Sequence, residues 1–246
     1  ETLDEIYPQP LGQLGHRRVG VYKRITPADT LLGLQRSRQI AGMPFVALRA
    51  HAVPSHSLRL KRLLDLLYLL LAMPVAALGF FLVALYVRAR AGTGIFYRQQ
   101  RVGYLGRPFA MWKFRTMAHE VESTTGAQLA TEADPRVLAG MGWLRKSRLD
   151  ELPQLWNVLK GEMSLVGPRP ERPEFVGQFE TEIPGYERRH DVPPGLTGLA
   201  QVRGHYQTDP SYKLGHDLQY IVNWSAILDL QIGLKTVLVV LRRSAR

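Results

Sequence analysis

Polar and apolar positions interleave along most of the chain, but from Leu63 to Val87 the apolar side chains run on, with one proline, Pro74, near the middle. Asp65 lies just inside the start of the run. Lys61 and Arg62 precede it, and Arg88 and Arg90 follow it. A helix needs about 20 apolar residues to meet the hydrocarbon core of a bilayer, so the run is long enough. Proline removes a backbone donor and crowds the preceding turn, which predicts a kink or break at Pro74. A broken helix with cations at both ends can enter a membrane and return on the same side. The positive-inside tendency then places both ends in the cytoplasm.

Shorter periods organise the remainder. Residues 95–99 and 109–115 alternate as strands do, and 101–107, with two glycines, forms the hairpin turn between them. Alternation puts Lys113 and Arg115 on one face, opposite Trp112 and Phe114. Leu149, Leu152, Leu155, Trp156 and Leu159 recur at helical spacing, predicting an amphipathic helix over 149–160. A strand stub is expected at 163–166, helices at 174–189 and 211–224, and a last amphipathic, basic-ended helix at 226–242 that can lie on a membrane surface. Residues 118–135 are polar and are expected to be helix fragments with a mobile loop. Upstream, Pro27-Ala28-Asp29-Thr30 opens a helix through Arg38, 44–48 is a short buried strand, and 53–57 is a hinge. The three expected units are therefore 1–57, a membrane helix over 58–90, and a cytoplasmic catalytic domain over 91–246. The first unit reads equally as an irregular extension or as the tail of an α/β domain.

Charge sharpens this picture. The formal net charge is +11 over 246 residues. A generally basic surface explains it without a partner. Attraction to anionic headgroups, about 1 kcal/mol per basic residue near the surface, explains it with one. Nucleic acid ranks below these, because no nucleic-acid module is present and the basic residues scatter. There is no cysteine, which excludes disulfides and thiolate chemistry. The acidic, polar start lacks the pattern of a signal peptide, and the chain starts without Met, as a fragment or processed product would.

The sharpest chemical signal is Arg145-Lys146-Ser147-Arg148-Leu149-Asp150-Glu151-Leu152-Pro153. Pro153 belongs in a first helical turn, so the helix is expected to start at or just before Asp150. Two adjacent carboxylates then sit where free N–H groups and the macrodipole favour negative charge. Helix capping is the plain reading of such an Asp. Arg145, Lys146 and Arg148 favour the sharper one, in which an ionised Asp150 serves as nucleophile or metal ligand beside a bound anion. In Gly167-Pro168-Arg169-Pro170, two prolines stiffen the backbone around one guanidinium, which suits a phosphate grip as well as a solvated turn. Pro193-Pro194-Gly195-Leu196-Thr197-Gly198 is a second stiff loop, followed by Gln201, Arg203 and Gly204. The nucleotide fingerprints GxGxxG and GxxxxGK[ST] are absent. The seven His show no metal-ligand spacing.

From Lys61 to the C-terminus the chain resembles the bacterial sugar transferases, the monotopic polyprenyl-phosphate hexose-1-phosphate transferases. The resemblance rests on Lys61-Arg62-x-x-Asp65, the interrupted apolar helix, Gln100-Arg101-Val102-Gly103 and Trp112-Lys113-Phe114-Arg115-Thr116-Met117. It continues through Leu149-Asp150-Glu151-Leu152-Pro153-Gln154-Leu155-Trp156-Asn157-Val158, the run from Lys160 to Pro170, and Pro194-Gly195-Leu196-Thr197-Gly198-x-x-Gln201-Val202. It covers about three-quarters of the chain, in order. Family members usually break the membrane helix at a Ser-Pro pair one turn later, where this chain has Ala77-Leu78.

The resemblance implies a mixed α/β, mainly helical monotopic membrane protein with a re-entrant helix, surface helices and a small β-hairpin. It implies a site at the cytoplasmic face of the bacterial inner membrane, with residues 1–57 as the end of a Rossmann-like domain. Asp150 would be the nucleophile and Glu151, with Asp150, the ligand of Mg2+. Lys113, Arg115, Arg145, Arg148, Arg169 and Gln201 are the candidate substrate contacts. The implied reaction moves a sugar-1-phosphate from a UDP-sugar to polyprenyl phosphate, releasing UMP. Membrane lipids are expected partners, a second copy of the chain is a further candidate, and nucleic acid is not expected. A non-catalytic, membrane-associated UDP-sugar-binding scaffold is the competing reading. Residues 170–175 resemble members that transfer glucose or galactose phosphate.

Overall fold

The structure is a computed structural model that describes residues 53–117, 136–203 and 209–244, together with the backbone of 21–24, 38–40 and 43–48. The upstream segments are the strands β1 (Val21–Arg24), β2 (Arg38–Ile40) and β3 (Met43–Leu48), antiparallel in the order β1-β3-β2. Arg38, expected to close a helix, instead opens a strand. The rest of that expected helix, the 118–135 loop and Gly204 lie outside the described residues.

The apolar run lies within α1 (Ser55–Ala91), which begins inside the expected hinge. Its helical assignment continues through Pro74, so the expected break is not a gap in the helix. A proline costs one backbone hydrogen bond locally, and the turns on either side can persist. Lys61, Asp65 and Leu69 are buried before the proline, and Val83 and Val87 after it; both sets are spaced by four. Between them every residue from Leu70 to Val75 is exposed, with Leu71 at 70% and Val75 at 78%. Large apolar side chains bare on all sides for more than a helical turn call for a hydrocarbon surrounding.

Lys61, Arg62 and Asp65 are internal fasteners and do not face headgroups as a basic bracket would. The Lys61 ammonium lies 2.8 Å from Asp229 Oδ2. Arg62 donates to the carbonyls of Val158 and Leu159, the second at 2.7 Å. These close the helix α3 (Gln154–Lys160), whose C-terminus favours a cation. Asp65 accepts from Ser164 Oγ at 2.7 Å and from the Leu165 N–H at 3.2 Å. Buried charges persist when paired in this way.

The hairpin is formed by β4 (Phe96–Val102) and β5 (Pro108–Phe114), paired from Phe96↔Phe114 to Val102↔Pro108 around a 3₁₀ turn. Asn157, fully buried in α3, finishes the free edge of β5. Its Oδ1 accepts from the Trp112 N–H at 3.1 Å and its Nδ2 donates to the Ala110 carbonyl at 2.8 Å. Phe109 and Met111 pack with Leu69, Val158 and Met163. Phe114 packs with Val83, Val87, Met141 and Leu144, the last from the short helix α2 (Gly142–Lys146).

The expected helix over 149–160 divides. Leu149–Glu151 is a 3₁₀ turn, entered through Arg148 in the left-handed region (φ 61), and α3 follows from Gln154 with Pro153 as its N-cap. The next strand, β6 (Ser164–Val166), pairs parallel with β7 (Gly195–Thr197), a pairing that local patterning does not announce. The expected helix over 174–189 stops early. α4 (Pro173–Glu182) ends before Pro184-Gly185, Gly185 takes a left-handed conformation, and a 3₁₀ turn covers Tyr186–Asp191. The chain ends with α5 (Leu199–Arg203), α6 (Pro210–Val222) and α7 (Ala226–Ser244). Val166, Val192, Leu199, Tyr220, Ile221 and Ile232 form the core among them.

Candidate active site

Two stiff loops cross at the end of the β6–β7 pair. Gly167, Gly195 and Gly198 approach so closely that a Cβ on any of them would collide with backbone of the opposing loop. The Gly167 N–H donates to the Thr197 carbonyl, and the Gly195 N–H to the Pro168 carbonyl, both at 2.8 Å. This crossing presents Arg169 on one side and Gln201 on the other. Arg189 buttresses the first loop by donating to the Arg169 carbonyl at 2.8 Å. It also pairs with Asp217 at 2.9 Å and donates to the Tyr186 hydroxyl. Arg101 supports the next residues, donating to the Pro170 carbonyl at 3.2 Å and pairing with Glu171 at 3.4 Å.

Arg169 reaches Glu151. The Arg169 guanidinium donates to Glu151 Oε1 at 2.6 Å, Arg148 donates to the same oxygen at 3.2 Å, and Lys113 at 3.1 Å. A second, longer contact of 3.5 Å joins Arg169 to Oε2. Three cations from β5, the 3₁₀ turn and the proline-flanked loop thus converge on one buried carboxylate. Burial alone would raise its pKa, but Arg169, Lys113 and Arg148 outweigh burial and hold it well below the usual range. The Lys113 ammonium is pulled down by burial, with Glu151 opposing.

Asp150, also buried, has the opposite environment. Its Oδ1 receives no hydrogen bond. Burial and the adjacent Glu151 charge push its pKa up from the ordinary value, against the pull of Lys113, Arg148 and Arg145. Lys113, Arg148 and Arg169 thus bond to Glu151; for Arg145 and Lys146 no hydrogen bond to the acidic pair is seen among the described residues.

The other candidates sit further out. Arg115 donates to the Ala91 carbonyl at the end of α1. Gln201 Nε2 donates to the Leu196 carbonyl at 3.0 Å, and Lys146 stands at the rim of a cavity that Arg148, Glu151 and Arg169 also line. Arg101, Arg189 and Asn157 were not among the expected site residues. Arg101 and Asn157 lie within the motifs that carry the resemblance, but Arg189 and Asn157 act on partners 20 and 45 positions away, which local spacing cannot show.

The bacterial sugar transferase family matches residues 56–243. The chain belongs to that family. A UDP-N-acetylgalactosamine-undecaprenyl-phosphate N-acetylgalactosaminephosphotransferase of Aeromonas hydrophila is 42% identical over 185 residues, spanning 74% of this chain and 44% of its own. A UDP-glucose:undecaprenyl-phosphate glucose-1-phosphate transferase of Klebsiella pneumoniae is 38% identical over 207 residues, 82% of this chain and 44% of its own. One of the same description from Caulobacter vibrioides is 40% identical over 182 residues, 72% of this chain and 68% of its own. The chain thus spans less than half the length of the first two. Within this bacterial sugar transferase, the acidic pair, Lys113, Arg148 and Arg169 all lie inside the matched segment.

Proposed function

We propose that this chain transfers a sugar-1-phosphate from a UDP-sugar to undecaprenyl or a similar polyprenyl phosphate, with Asp150 as nucleophile. The observation that carries this reading is the division of labour in the acidic pair. Glu151 engages Lys113, Arg148 and Arg169, while Asp150 keeps an oxygen without a donor. An Asp150 oxygen attacks the phosphorus that bears the sugar. The bond to the bridging oxygen breaks, UMP departs, and an aspartyl-phosphosugar remains. A phosphate oxygen of the polyprenyl acceptor then attacks the same phosphorus and the bond to Asp150 breaks. In the resting site Glu151 stands in for the anionic phosphates, keeping the three cations oriented and their charge compensated. The names of the relatives above support this chemistry. It would be an early membrane step in assembling an exopolysaccharide, capsule or O-antigen glycan.

The acidic pair fits magnesium. Asp150 Oδ1 is a hard oxygen acceptor without a donor, and Glu151 Oε2 takes a longer Arg169 contact than Oε1 does. Among the described residues no third acidic or His side chain completes a protein cage. That suits an ion that takes one or two carboxylates and completes its shell from phosphate and water. When bound by Asp150 and Glu151, it would neutralise charge on the diphosphate and assist the leaving group.

The test is product analysis with purified protein, UDP-glucose, UDP-galactose or UDP-N-acetylgalactosamine, and undecaprenyl phosphate. UMP and a polyprenyl diphosphosugar are expected in equal amounts with one of the donors. UDP-sugar binding without either product would favour the scaffold reading.

We further propose that α1 enters and leaves the cytoplasmic face of the inner membrane, bending about Pro74. Leu69 shares an apolar cluster with Leu155, and Gly79 faces Leu152 one turn earlier on the same segment, so both sides of the proline lie on one body. Accessibility labelling of single cysteines at positions 61 and 90 should place both on the cytoplasmic side. The Pro74→Leu protein should shift towards a spanning helix with position 61 across the membrane. Wild-type positions 61 and 90 on opposite faces would refute re-entry.

A further inference from the structure

The cavity beside Glu151, about 190 Å³ in volume, is lined by two unlike kinds of side chain. The cations Lys146, Arg148 and Arg169 line it together with an aliphatic set, Leu155, Leu196, Val202, Val239 and Val240. Among the described residues the lining carries no aromatic ring. Branched aliphatic side chains offer instead a surface complementary to a methyl-branched hydrocarbon. The wall is fixed in place. Thr236 is bonded 2.7 Å from Thr197 across the α7–β7 contact and donates to the Ile232 carbonyl at 2.8 Å, which pins α7 against the glycine crossing. On the outer side of α7, Ile227, Leu230, Leu234, Val237 and Leu238 are exposed at helical spacing, so the helix that closes the cavity also offers an apolar face to lipid. A tail leaving the cavity along α7 would meet this apolar face.

We infer that this cavity seats the acceptor, with its phosphate held by Lys146 and Arg148 and its first isoprene units against Leu196, Val202, Val239 and Val240. The assignment rests on the transferase reading above and adds a separate seat for the second substrate. The donor diphosphate then occupies the Lys113 and Arg169 side of Glu151, and the two phosphates meet at Asp150.

The assignment is tested by separating the half-reactions. Wild-type protein given UDP-sugar alone should release a burst of UMP of about one equivalent; its absence would count against the covalent mechanism itself, whatever the cavity holds. In the Val239→Trp protein, which bulks up the aliphatic lining, the burst should persist. The KM for undecaprenyl phosphate should rise about tenfold or more, the loss of roughly two buried methylene contacts. An unchanged acceptor KM, or loss of the burst in a protein of unchanged melting temperature, would overturn the assignment. Wild-type protein supplies a second measurement. Undecaprenyl phosphate carrying a photoreactive group in its first isoprene unit should label residues in 196–202 or 236–240. Labelling confined to 63–87 would equally overturn it.

Discussion

Asp150→Asn is expected to abolish both the UMP burst and net transfer while the protein stays folded and membrane-bound. An amide oxygen is a poor nucleophile towards phosphorus, and loss of a covalent nucleophile typically costs on the order of 10⁴-fold or more in kcat. The structure adds a stability sign. Asp150 is buried beside a second carboxylate, with an oxygen that no donor satisfies, and both burial and Glu151 disfavour its charge. A neutral amide of the same size removes that penalty, so the melting temperature should hold or rise. Were Asp150 only a cap or a structural anchor, the melting temperature would fall and activity would follow it. Calorimetry and a UMP assay on one preparation distinguish the two. Substantial UMP release by the variant would end the covalent reading.

The second large effect is expected at Arg169. Its guanidinium gives Glu151 the shortest contact in the site, and its backbone is held by two prolines, by the glycine crossing and by Arg189. Arg169→Ala removes a charge-assisted interaction worth roughly 1.5–3 kcal/mol, about 10- to 150-fold. If the contact to phosphate strengthens as charge builds on the leaving group, the loss appears in kcat; if it is equal before and during displacement, it appears in KM. We expect the former, because the guanidinium lies beside the acidic pair. Arg169→Lys should rescue little, since an ammonium cannot reproduce the planar fork. Wild-type kinetics in both variants would reduce Arg169 to a turn residue.

Much of this site was legible in the sequence because its parts are locally encoded. Alternation along 109–115 aims Lys113 away from Trp112, and the structure delivers it to Glu151. Pro168 and Pro170 declare a stiff loop around Arg169. The apolar run from Leu63 declares a long helix. Long-range contacts were not legible. No local rule links Arg189 to the Arg169 carbonyl, or pairs β6 with β7 across the intervening residues 167–194, which hold a helix and a turn. The acidic pair was assigned to an α-helix because leucines recur at helical spacing through 149–160. That spacing is satisfied equally by a 3₁₀ turn followed by a short helix, and the left-handed Arg148 selects the latter. Charge beside an apolar run normally meets headgroups, which makes Lys61 and Arg62 look like a basic bracket; here Asp229 and the α3 carbonyls claim them.

Those fastenings bear on how the protein could be handled. A shortened chain lacking α1 would leave Asp229 without its ammonium, the end of α3 without its guanidinium, and the Ser164 hydroxyl and Leu165 N–H without the Asp65 carboxylate. β6 leads directly into the loop that carries Arg169, so the damage would begin four residues from that guanidinium. α1 and the body it is fastened to share these buried contacts, so trimming α1 is not expected to leave a soluble, intact remainder. Solubility would have to be sought on the lipid-facing side of α1, at Leu71, Val75 and their exposed neighbours, leaving the inward Lys61, Arg62 and Asp65 untouched.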